Sequence, residues 1–242
     1  MNADRLMQAM NELPEDLIAE ALETERQRVP VKRVLRTLLI AAVIAVFFSV
    51  TAYAAGGNLG RITSSARMGR HWSTLDVLPK AERMLGLGMT VPERFESGFV
   101  FADMDITYSD LRDPDGAIVK TYPEFYANYT RGDQTLILNV QAWERAPGGA
   151  GWLEREQDGT TLYCHSFTYK VVPVDYRETE EDTARKETGE LMIAWGGDEV
   201  ETFPMCFVVF ERGGAAYALF SYDGLAMDEL CAMAGEIIRM DE

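Results

Sequence analysis

From Thr37 to Ala55 the chain carries no charged residue, and five basic residues (Arg26, Arg28, Lys32, Arg33, Arg36) stand just upstream. A helix needs about 20 apolar residues to span a hydrocarbon core roughly 30 Å thick. The stretch from Leu35 to Ala55 has that length, with Arg36 just inside its edge and able to snorkel, and is otherwise apolar on every side, so it is not an amphipathic surface helix. Three readings are open: an uncleaved anchor, a signal peptide cut after Ala52-Tyr53-Ala54, or a buried helix. A cleaved signal has a short basic leader and an apolar stretch of about 7–15 residues. The leader here is longer and has helical organisation of its own, which favours the anchor. The basic cluster, including the topology-setting Arg28, Lys32, Arg33 and Arg36, then places the N-terminus in the cytoplasm and the rest outside.

The segment before the anchor reads as two short helices. Leu6, Met10 and Leu13 share one face, Pro14 interrupts, and Leu17, Ile18 and Leu22 continue an apolar stripe. This stripe is either a docking surface for a cytosolic protein or a juxtamembrane helix that lies on the bilayer or pairs with itself.

"LMQAMNELPEDLIAEALE", followed by basic residues and an apolar run, resembles the N-terminus of gram-positive, clostridia-type anti-sigma-factor-like membrane proteins, which end in an outer domain of unknown function. "GLGMTVPERFESGFVF" and "VFERGGAAYALFSYDGLAMDELCAMAGEII" look like the opening and close of that domain, matching at Pro92, Gly98, Phe99, Tyr217, Leu230 and Ala234. The resemblance implies a sigma factor as cytosolic partner, and a topology without catalytic residues. Residues 1–57 contain no His and no Cys, unlike the zinc-binding members of that class.

The expected organisation is a cytoplasmic amphipathic segment (1–33), a transmembrane helix (34–56), a linker (57–75) and an extracytoplasmic domain (76–242). The net charge is −16. A surface this acidic repels phosphate backbones, which excludes nucleic acid as a partner of the outer domain. From Gly98 the apolar period becomes two. Hairpins are expected around Arg131-Gly132-Asp133 and Gly213-Gly214, and a strand over "TTLYCHSFTYKVV". "RETEEDTARKETGE" reads as a solvated excursion, and "GLAMDELCAMAGEIIRM" as a closing amphipathic helix. The expected fold class is therefore α+β: a single N-terminal transmembrane helix, then an antiparallel sheet packed with a C-terminal helix.

Chemistry is sparse. His71 has no carboxylate nearby in sequence at ligand spacing. His165 adjoins Cys164 on a strand, so the two point to opposite faces and cannot form a dyad. Asp103 and Asp105 share a strand face and, with Asp110, Asp113 and Asp115, form an acidic patch. A calcium-loop register through Asp113 and Asp115 would place Leu111 first and Tyr122 twelfth, which does not ligate. Cys164, Cys206 and Cys231 show no metal spacing. They are either small buried hydrophobes or, outside the cell, include a Cys164–Cys206 bridge. Neither catalytic residues, cofactor nor metal ligands are expected. The reading is a membrane regulatory or sensor protein; the alternative is a tethered envelope-binding or structural module with no cytosolic signalling role.

Overall fold

The computed structural model describes residues 63–112, 117–143, 146–148 and 150–240. Nine strands form one sheet in the order β1-β2-β3-β4-β9-β8-β6-β5, with β7 also paired to β6. The strands are β1 (Thr63–Trp72), β2 (Val100–Arg112), β3 (Ile118–Arg131), β4 (Gln134–Ala142), β5 (Leu153–Gln157), β6 (Thr160–Val172), β7 (Leu191–Trp195), β8 (Glu201–Arg212) and β9 (Ala215–Ser221). The helices are α1 (Leu78–Leu85), α2 (Glu180–Glu187) and α3 (Met227–Arg239), with a 3-10 turn at Leu75–Val77.

The α+β expectation is corrected: the described residues are mostly β, and their helices are short. The expected antiparallel sheet is mixed, because β7 runs parallel to β6 after the α2 crossover. Among the described residues no helix is long and apolar enough to cross a membrane. The expected transmembrane helix at 34–56 and the segment at 1–33 lie outside the described residues. The expected linker at 57–75 holds β1, whose irregular apolar pattern hid an edge strand stabilised by pairing to β2. The expected solvated excursion holds α2. Its Thr179 accepts from the Asp182 amide while the Asp182 carboxylate accepts from the Thr179 amide, a capping box that starts the helix.

Alternation along the strands divides the apolar side chains between two faces. On one face Met104, Phe125, Leu138, Val208 and Tyr217 join Leu230, Met233 and Ile237 of α3. Each such side chain contributes about 1.5–3 kcal/mol on burial. Polar bonds tie α3 down. Arg131 of β3 donates to Glu229 and to the Ser97 carbonyl, and its guanidinium lies 4.3 Å from the Phe99 ring centroid. Arg212 of β8 donates to the Ile237 carbonyl in the last turn of α3, the same oxygen on which the Met240 amide closes the helix end. The Tyr217 hydroxyl accepts from the Thr90 amide at 2.9 Å and fixes the segment between α1 and β2. The β3–β4 and β8–β9 hairpins turn at Gly132-Asp133 and Gly213-Gly214. Gly213 and Gly214 have φ of 60° and 81°, the pair of left-handed conformations that a tight hairpin turn requires.

Candidate metal centre

On the opposite face, one row of mutually paired residues crosses six strands: His165, Phe207, Phe220, Ile137, Asn128, Asp103. The row is aromatic at one end and polar at the other. At the aromatic end Phe167, Phe207 and Phe220 stack, with centroid separations of 5.6 and 4.7 Å. His165 lies between Trp152 and Phe167, and its Nε2 pairs with the Gly189 carbonyl at 2.9 Å. Burial pushes its pKa down, only partly opposed by that carbonyl. A neutral imidazole packed among rings is a core element, more buried than a sheet-surface histidine.

The polar end is built by register. His71 of β1 pairs with Asp105 of β2, and its Nδ1 lies 2.8 Å from Asp105 Oδ1. Asp103, two residues back on β2, faces the same way. Asn128 of β3 donates to Asp103 Oδ1 at 2.6 Å and to Asp105 Oδ2 at 3.5 Å. The next pair along, Thr107 and Glu124, adds a fully buried carboxylate that accepts from Thr107 and from the Tyr126 hydroxyl. Burial, then the Glu124 charge, pushes the Tyr126 phenol well above its ordinary value, so it stays a donor.

One ligand atom from each of His71, Asp103 and Asp105 lies within 4.8 Å of the other two. Donors around a divalent cation at metal–ligand bonds of about 2.0–2.2 Å are separated by roughly 3–4.4 Å, so a small contraction closes this set. One imidazole with two carboxylates is a borderline N/O donor set, suited to Zn²⁺ or Mn²⁺. Asp105 is buried and Asp103 half-buried, and a cation offsets the repulsion between the two carboxylates. Asn128 orients both, the role of an outer-shell partner.

The sequence pattern points to no metal ligands, because His71 and Asp105 are 34 positions apart and meet only through β1, which no local signal marks as a strand. The Asp103-x-Asp105 face was its one visible signal. The expected acidic patch does not persist. Asp110, an odd number of positions further along β2, faces the other side and accepts from Thr121, while Asp113 and Asp115 lie outside the described residues. The candidate partner-binding residues Leu6, Met10, Leu13, Leu17, Ile18 and Leu22, and the topology-setting Arg28, Lys32, Arg33 and Arg36, also lie outside them.

The Cys164–Cys206 pairing is not favoured by the register. Cys164 faces Val208, and Cys206 faces Ser166, with Sγ 3.2 Å from the Ser166 hydroxyl. That leaves the two cysteines diagonal, at about 7–8 Å, too far for a bridge. Comparison with known proteins gives no match to a family, to a curated protein or to a solved structure.

Proposed function

We propose that the chain is a membrane-tethered regulatory or sensor protein, anti-sigma-factor-like, whose sheet domain lies outside the cytoplasm and binds a divalent cation. The ligand part rests on one observation: the β1–β2 register that sets His71 against Asp105 beside Asp103. The regulatory part is supported by the sequence order of apolar stripe, basic cluster and uncharged run. Residues 1–33 hold a cytosolic partner such as a sigma factor, and the uncharged run keeps the pair at the cell membrane. Cation binding at the edge of the sheet is the signal that the domain reads. No step here requires the chain to be an enzyme.

The test is a cross-linked pulldown of the full chain from native membranes, with a variant lacking residues 2–28 as control. A cytosolic regulator recovered only with the intact N-terminus supports the reading. Recovery of the same proteins with both forms refutes it and leaves a tethered envelope-binding module. Protease added from the cytoplasmic side of membrane vesicles must spare the sheet domain.

A further inference from the structure

We propose that Cys164 and Cys231 close into a disulfide that locks α3 onto β6. The two sulfurs lie 3.7 Å apart in the core beneath α3, although the residues are 67 positions apart in sequence. A disulfide needs about 2.05 Å, so side-chain rotation with a helix shift of an ångström or so makes the bond. Cys206 is excluded by its diagonal placement on β8 and its contact with Ser166. The pair therefore has a defined partner choice, which a chain with an odd cysteine count otherwise lacks.

The surroundings divide the labour between the two sulfurs. The Cys164 hydrogen bond first, and then the guanidinium of Arg155, whose Nη1 is 3.9 Å from Cys231 Sγ, draw the Cys231 thiol down against the effect of burial. The Cys164 thiol is pushed up by the same hydrogen bond and by burial. The Arg155 guanidinium beside its sulfur makes Cys231 the attacking thiolate and leaves Cys164 as the resolving thiol.

The oxidant is a disulfide, small or carried by a thiol–disulfide oxidoreductase. The Cys231 thiolate attacks one of its sulfurs, forms a mixed disulfide and expels a thiolate. Cys164 gives up its proton and attacks the Cys231 sulfur, expelling the second thiolate. Two protein thiols are oxidised to one disulfide, and the oxidant disulfide is reduced to two thiols. Both sulfurs are buried once α3 is seated, so the exchange takes place as the helix docks. In the cell the bond rests on the outer placement proposed above, because only there is the environment oxidising.

The experiment uses the full chain, purified in detergent and equilibrated with glutathione buffers from reducing to oxidising. Free thiols are alkylated and the peptides mapped by mass without reduction. The expected result is one bridge joining the Cys164 and Cys231 peptides, with Cys206 alkylated throughout. Oxidation should raise the melting temperature by about 10 °C for a loop of this length. Cys206→Ser should keep the bridge and the rise, while Cys164→Ser should lose both. Three alkylated cysteines in the oxidising buffer, or a bridge through Cys206, overturns the proposal. Trapping the thiols in intact cells separates the two readings: a bridge that forms in buffer but is absent in cells upholds the site and refutes the outer placement.

Discussion

Asp182 is the first residue of α2 to test, because one carboxylate there closes the crossover between β6 and β7. Its Oδ1 accepts from Lys170 Nζ at 2.7 Å, and its Oδ2 accepts from the Tyr176 hydroxyl at 2.6 Å and from the Thr179 amide at 3.1 Å. Asp182→Asn keeps the shape but removes the charge, leaving the Lys170 ammonium, only 16% exposed at its side chain, without its counter-ion. A hydrogen bond to a charged group contributes about 1.5–3 kcal/mol and a neutral one about 0.5–1.5 kcal/mol; all three bonds lose their charged acceptor, so the loss is about 3 kcal/mol. For a domain of this size that is a fall of about 9 °C in melting temperature.

The pH dependence sharpens the test. The Lys170 bond, and then the Tyr176 bond, hold the Asp182 carboxyl well below the ordinary carboxylate range. A group depressed in the folded state stabilises fully above its unfolded value, about 3.9, and loses that contribution as pH falls towards the folded value. Thermal melts by circular dichroism at pH 7 and pH 2.5 should therefore show a wide gap between wild type and Asp182→Asn that narrows in acid. A gap below 2 °C at pH 7, or one that stays constant to pH 2.5, would refute the reasoning.

Three further outcomes are expected. Tyr217→Phe removes the acceptor of the Thr90 amide and should cost about 1–2 kcal/mol in denaturant unfolding, with an unchanged slope. Met233→Ala, at a fully buried position of α3, should cost about 2–5 kcal/mol in the same assay. Gly69→Ala places a Cβ 2.6 Å from the Ile106 carbonyl and 2.8 Å from the Tyr108 ring. It should part β1 from β2 near His71, weakening divalent-cation binding by at least about tenfold while moving the melting temperature little, since β1 is an edge strand.

How much of this was legible in the sequence depended on range. The β3–β4 and β8–β9 hairpins, the strand at β6 and the helix α3 carry their signals locally, in alternation, paired turn glycines and a period of 3.6. What was missed depends on distant partners. β1 is a strand because β2 supplies its ladder, and nothing in "TSSARMGRHW" shows that. α2 has no apolar stripe; its capping box and the Lys170–Asp182 bond hold it, and the sequence signal was the Thr179-to-Asp182 spacing. Counting only the helices visible by periodicity, and supposing that they form a full layer, gives the α+β expectation where the described residues are mostly β. His71 with Asp105, and Cys164 with Cys231, are 34 and 67 positions apart. Neither pair has a spacing motif, because sheet order and not sequence brings them together.

The most direct measurement is a calorimetric titration of the full chain in detergent with Zn²⁺ and Mn²⁺, for wild type and Asp105→Asn. The account predicts one saturable site in the wild type. In the variant it should be weakened by at least the roughly 10–100-fold that even an outer-shell partner costs, with the melting temperature of the metal-free protein nearly unchanged. No saturable binding, or equal binding by both proteins, would contradict it.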